Sequence, residues 1–134
     1  MKPDWEALLA VLTAMAVFFF LAIFSTARAE TCATLDVQPS QVIDNYDGDT
    51  FTISLGALGR AIVRVEGVDT PERSKKQPGW KEAKEFTAQW LALGPFKLHT
   101  CFALTLGRVV GSPSRNGTTL ASALIAAGHV KPRP

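Results

Sequence analysis

The chain of 134 residues has only two cysteines, Cys32 and Cys101, and neither has a C-x-x-C neighbour. That excludes zinc-ribbon and dithiol redox motifs, which need closely spaced thiols. One intramolecular pairing is open to the two cysteines; the alternative is two free thiols. Histidine is as scarce. His99 and His129 stand alone, and Ser112, Ser114 and Ser122 have no His/Asp pattern beside them. Charge of one sign is lacking too. Setting aside Lys2, Arg28, Asp4 and Glu6 leaves twelve of the fourteen basic and ten of the twelve acidic side chains in residues 30–134. Bulk charge therefore argues for no nucleic-acid partner, and any such binding must come from local placement. Internal repeats and low-complexity tracts are absent.

The chain does have one long hydrophobic run. "EALLAVLTAMAVFFFLAIF" is followed by "STARAE", with small residues at Ala27 and Ala29. The pattern reads as a secretory signal over residues 1–29, cleaved after Ala29. The n-region balances Lys2 with Asp4 and Glu6, and residues 7–24 reach bilayer-spanning length, so an uncleaved anchor with membrane contact is the other reading. Both readings send residues 30–134 across a membrane, either as a periplasmic or secreted protein or as one anchored facing outward. That part has the size of one small domain.

Within it, "TCATLDVQPS" shows no period and reads as an irregular lead-in. "QVIDNY", "TFTISL" and "AIVRVEGV" are short, rich in β-branched and aromatic residues and bounded by turn residues. "GALG" reads as a hairpin connection. A helix is predicted from about Gly79 to Leu93, with Trp80, Ala83, Phe86, Thr87 and Trp90 at helical spacing and Gly94-Pro95 as the stop. "PFKLHTCF" and "LGRVVGS" are two further strands, and Pro113 requires the second to be an edge or finished at that point. Phe96, Leu98, Thr100 and Phe102 alternate toward one face, which turns Cys101 off the core, where an N-terminal segment can meet it. Closing that loop contributes about 4 kcal/mol on a chain-entropy account. "RNGTT" supplies an Asn-Gly turn, and "LASALIAAGHV" is a short helix ended by Gly128. The fold class expected is α+β: a five-stranded OB-fold β-barrel with two helices, preceded by the hydrophobic signal or anchor helix.

Four carboxylates crowd two short stretches, "DGDT" (Asp47, Asp49) and "VDTPE" (Asp69, Glu72). Asp47 and Asp49 leave an extended segment on the same side, with Gly48 between them permitting a turn or a close approach. Pro71 fixes its own φ and holds Thr70 extended. Neither stretch offers His or Cys, so the set is a hard-oxygen site suited to Ca²⁺ or Mg²⁺. Arg64 and Arg108 each present a fork of donors to phosphate oxygens. A cation and two guanidinium groups together would stabilise charge developing on phosphorus, and a spare carboxylate would orient or activate water. Strict alternation puts Arg64 and Asp69 on opposite faces, which predicts an irregularity near Gly67 or Val68. Turn chemistry alone explains each acidic motif singly; the combination with both arginines is what points to a site.

"DNYDGDTFTI", "RVEGVDTPE", "KEAKEFT", the "LGR" at Leu106 to Arg108 and "NGTTLASALIAAGHV" occur in the order seen in staphylococcal nuclease-like (thermonuclease) proteins, and the chain resembles that family over about Val42 to Val130. The resemblance implies a Ca²⁺-dependent phosphodiesterase acting on DNA and RNA. It implies metal ligation by the Asp49 and Asp69 side chains and the Thr70 backbone carbonyl, with Asp47 beside that shell. It also implies Glu72 as general base or water-positioning group, and Arg64 and Arg108 as phosphate contacts. Arg73, Lys75, Lys76, Lys81 and Lys84 ring the loop after Glu72; Lys75, Lys76 and Lys81 are the candidate contacts to a nucleic-acid backbone, against a solvated loop as the plain reading. Trp80 and Trp90 read as packing residues.

The chain departs from the family at Leu106, commonly tyrosine, and at Thr105, commonly basic. Longer members also continue into a further helix after the position of "KPRP". Two functions follow as expectations. One is an exported, metal-dependent nuclease; the alternative is a catalytically weak or inactive OB-fold module that binds nucleic acid or serves the envelope. No obligate protein partner is implied.

Overall fold

The structure is a computed structural model that describes residues 4–24, 31–105 and 108–132, with side chains left out at 18–24 and 102–105. The expected cleavage point after Ala29 and the Leu106-Gly107 step lie outside the described residues. Helix α1 is Trp5–Phe24. Its described large apolar side chains, among them Trp5, Leu8, Leu12 and Met15, are exposed. Among the described residues, no helix is long and apolar enough to cross a membrane.

The remaining elements are β1 (Ala33–Val37), β2 (Val42–Asn45), β3 (Thr50–Ser54), β4 (Arg60–Val65), α2 (Trp80–Ala92), β5 (Phe96–Thr105), β6 (Arg108–Arg115), β7 (Thr118–Thr119) and α3 (Leu120–Ala126). The architecture is α+β, with one curled mixed sheet in the order β1-β5-β6-β4-β3-β2 and β7 paired to β6. Among the described residues only β4 and β6 pair in parallel, matched from Val63↔Val109 to Val65↔Gly111. The sheet is barrel-like and has more strands than the five expected.

The lead-in around "ATLDV" is the main correction. It is strand β1, antiparallel to β5 with Ala33 opposite Thr100 and Val37 opposite Phe96. Ala33, Leu35 and Val37 alternate with exposed Thr34 and Asp36 and turn inward, Val37 fully buried, so a short period of two is present in a stretch that is otherwise without pattern. What places it is pairing partners distant in sequence. The same register brings Cys32 opposite Cys101, and the two form a disulfide across 69 residues. Cys101 does turn away from the face that buries Phe96, Leu98 and Thr100.

Several sequence signals act as their chemistry requires. Asn116 and Gly117 both have positive φ, 51° and 78°, which closes the β6–β7 hairpin with a two-residue turn matched to strand twist. Pro113 is fully buried inside β6. It falls between Gly111, the last residue paired with β4, and Ser114, the first paired with β7. Its missing N–H therefore breaks no rung on that side. Helix α3 starts where Thr119 Oγ1 accepts from the Ser122 N–H at 3.1 Å. It ends in paired C-terminal bonds, Gly128 N–H to Ile125 O at 3.1 Å and His129 N–H to Leu124 O at 3.0 Å, with Gly128 at φ 76°.

The core lies between the inner sheet face and the two helices: Phe51 and Ile53 of β3, Val63 and Val65 of β4, Phe96 and Leu98 of β5, Trp90 and Leu91 of α2, and Leu120 and Leu124 of α3. Burying each such side chain contributes roughly 1.5–3 kcal/mol. Strand alternation then sends Ile62 and Arg64 to the opposite face of β4, and the candidate site is built there.

Candidate functional site

"DGDT" is a tight bend between β2 and β3. Two neighbours hold it from behind: Thr87 Oγ1 of α2 donates to Gly48 O at 2.6 Å, and Asn45 Nδ2 donates to Lys84 O at 2.7 Å. A Cβ on Gly48 would stand 2.8 Å from Ala83 Cβ and from Thr70 Cγ2. The glycine is thus needed for α2 and Thr70 to close on the bend. This close approach comes from the protein itself.

The bend buries both of its aspartates, Asp47 at 6% exposed and Asp49 at 5%. Asp49 Oδ1 accepts from Thr50 Oγ1 at 3.0 Å, and Oδ2 accepts from the Thr70 N–H at 2.8 Å. Arg64 then ties the two acidic stretches together. Its Nη1 pairs with Asp49 Oδ2 at 2.5 Å and its Nη2 with Asp69 Oδ1 at 3.2 Å. The expected irregularity makes this possible: β4 ends at Val65 and a turn at Glu66 and Gly67, with Gly67 at φ 78°, re-aims the chain.

One cavity of about 550 Å³ is lined by Asp47, Asp49, Asp69, Glu72, Arg64 and Arg108, together with Asp44, Tyr46, Thr50, Thr52, Ile62 and Ser74. All six side chains expected at the site therefore border one space. Thr70 does not line it; it is fully buried, its N–H is given to Asp49, and its hydroxyl has no hydrogen-bond partner among the described residues. Arg108 is half-buried and forms no ion pair among the described residues. Lys75, Lys76 and Lys81 do not line the cavity. Lys75 Nζ reaches Glu72 Oε2 at 3.0 Å, Lys81 lies over the Trp80 ring at 5.7 Å, and Lys76 is exposed at φ 49°.

Sequence reasoning missed Lys131. Just past α3, its N–H donates to Asp69 O at 2.8 Å, and its Nζ meets Asp69 Oδ2 at 3.2 Å and Glu72 Oε1 at 2.8 Å. No motif announces a contact to a residue 59 positions earlier; the only signal is a lone lysine after the last helix. Hydrogen bonds from Lys131 and Lys75 hold Glu72 down at about 2, well below its ordinary 4.5. The hydrogen bond to Glu72, and then Asp69, raises Lys131 against the opposing effect of desolvation. Asp47 behaves oppositely. Burial, and then the Asp49 charge, push it from 3.8 up to about 6.

These groups allow a test of whether a divalent cation suits the site. Arg64, Lys75 and Lys131 already neutralise Asp49, Asp69 and Glu72, so the cluster is tolerable on its own. Asp47 is the exception: it is buried, it has no cationic partner among the described residues, and its charged form is disfavoured. An all-oxygen donor set beside an uncompensated carboxylate fits a hard cation. No family model matches the chain, and no curated protein matches it.

Proposed function

We propose that the chain is a metal-dependent nuclease that hydrolyses phosphodiester bonds of DNA or RNA by attack of water. One observation carries this reading: Arg64 and Arg108 border the same cavity as Asp47, Asp49, Asp69 and Glu72. Asp49, Asp69 and the Thr70 carbonyl, with Asp47 beside them, would hold Ca²⁺ or Mg²⁺, which supplies Lewis acidity toward a phosphate oxygen when bound. Arg108, lacking an ion-pair partner among the described residues, takes a phosphate oxygen. Arg64, held between Asp49 and Asp69, offers a pre-set fork to the charge that develops on the phosphoryl group. Glu72 is ionised at neutral pH but a poor proton acceptor at a pKa of about 2. Its part is to orient water by accepting a hydrogen bond rather than to remove the proton outright.

The fold assignment that goes with this function is an OB barrel formed by β2 to β6, with β1 and β7 as additions; the order β5-β6-β4-β3-β2 supports it. Export to a periplasmic or extracellular space is supported by the apolar run and by a disulfide that suits an oxidising compartment. The anchor reading of residues 7–24 has no membrane-spanning helix among the described residues behind it.

The binding-module alternative draws on Lys131. A lysine already seated on Asp69 and Glu72 occupies the charge that a cation and a water would use. Hydrolysis of nucleic acid by the purified chain, measured with Ca²⁺ and then with chelator, separates the two. Chelator-sensitive cleavage is the expected result. Cleavage that survives chelator, or none with any divalent cation, rejects the nuclease.

A further inference from the structure

The cavity has two unlike ends. Arg64 lies opposite Thr50 on β3 and Val110 on β6, in the charged half. The other half is bordered by Tyr46, Ile62, Thr52 and Asp44. Asp44, Thr52 and Ile62 are successive cross-strand partners over β2, β3 and β4, while the Tyr46 N–H donates to Thr50 O at 2.9 Å. These side chains thus form a continuous floor that starts beside the arginines and ends at β2. Strands lie about 4.8 Å apart, so β2 and β4 are separated by roughly 10 Å.

Tyr46 and Ile62 are 40% and 44% exposed, although each is a large side chain on a strand or at its end. The tyrosine is also backed. The Arg73 guanidinium lies 5.3 Å from the centre of its ring and 5.8 Å from that of Trp80. Lys81 adds a second cation to Trp80 at 5.7 Å. The stack fixes the Tyr46 ring while leaving it on the cavity wall. Asp44 is in no ion pair among the described residues and puts a negative charge at this end, which disfavours a second phosphate there.

We propose that this half of the cavity is a subsite for one unpaired nucleobase, stacked on Tyr46 and lying against Ile62, while the attached phosphodiester sits at Arg64 and Arg108. The inference rests on the nuclease reading for the identity of the ligand. It adds where the base goes and what holds it. A flat π-surface on a rigid aromatic is a sequence-tolerant contact, so every base fits in kind. A base held in a duplex cannot reach this floor without leaving its partner. Asp44, at the base edge, accepts a hydrogen bond from an exocyclic amino group, which favours cytosine or adenine over thymine.

The test is binding, so that it does not depend on turnover. The full chain is titrated, with chelator present, against a dye-labelled single-stranded oligonucleotide and against a strand of the same length made of base-free sugar phosphates; fluorescence anisotropy gives each Kd. Wild type is expected to hold the base-bearing strand more tightly. Tyr46→Leu should weaken that binding roughly 5- to 150-fold, the range of a lost base–aromatic stack. Its binding to the base-free strand should change less than about twofold, and Tyr46→Phe should keep most of the preference. Equal losses on both strands, or no preference in the wild type, overturn the subsite. Preference without cleavage under any cation upholds the subsite and rejects the nuclease; cleavage without preference does the reverse.

Discussion

Among the single side chains, Arg64 and Glu72 differ in what their removal would do. Arg64 is bound to Asp49, a carboxylate that is almost wholly buried. Arg64→Ala therefore strips a buried charge of its partner and should lower stability by about 2–3 kcal/mol, besides abolishing the proposed hydrolysis. Glu72 is half-exposed, and its partners Lys131 and Lys75 reach solvent. Glu72→Ala should lower the proposed hydrolysis about 100-fold while the unfolding midpoint in denaturant barely moves. Similar stability losses for the two variants would contradict this division. Asp47 gives the site a pH signature. Its folded pKa, about 6, lies above the unfolded 3.8, so its contribution to stability is complete below the unfolded value and is lost as pH rises through about 6. Glu72 has the reverse sign, its contribution present above 4.5 and lost as pH falls toward about 2. Its ion pairs are exposed and screened, so this contribution is small, in keeping with the unmoved midpoint expected of Glu72→Ala. Thermal midpoints measured across pH with chelator should fall through the Asp47 window. Ca²⁺ should restore them there, and an identical profile with and without Ca²⁺ would remove Asp47 from any cation shell.

At the scale of elements, the bend, the turn after β4 and the segment after α3 each hold part of the site. Gly48→Ala would force Ala83 or Thr70 aside and cost about 1–3 kcal/mol, read by chemical denaturation. The segment after α3 enters through Lys131, whose ammonium competes with any cation for Asp69. Lys131→Met should therefore tighten Ca²⁺ binding roughly fivefold by calorimetry, in keeping with the loss of a partly exposed ion pair; unchanged affinity would mean that the cation does not use Asp69. How much was legible in the sequence follows the range of the interactions. The Asn116-Gly117 turn, the Gly67 irregularity, the span of α2 and the Gly128 stop all depend on neighbours within a few residues, and all can be read from composition and spacing. Six of the polar residues around the cavity could be nominated from two acidic motifs and two arginines. The alternation of Ala33, Leu35 and Val37 with Thr34 and Asp36 made β1 legible as a strand, but its place beside β5 was not, nor was Lys131, because each is placed by partners some sixty positions away. Tyr46 was passed over because a lone aromatic beside a turn has no period to reveal its exposure.

At the scale of the whole molecule, the sheet holds its first strand by β5 pairing and by one covalent link. Cutting that link should be costly. Cys32→Ser, or reduction of the wild type, should lower stability by about 4 kcal/mol on the chain-entropy account of a loop this long. Urea unfolding with and without reductant measures it. A shift under about 1 kcal/mol would mean that the strand pairing alone suffices. β1 is the outermost strand on its side of the sheet, and β5 is what it covers. In a thiol-rich surrounding the first strand would be free to peel away, leaving the long β5 with a row of unmet amide and carbonyl groups. Such a margin recruits whatever extended chain comes near, including another molecule of the same kind. The single sulfur bridge thus protects solubility as well as shape, and a preparation made under reducing conditions would form soluble aggregates before it lost its helices.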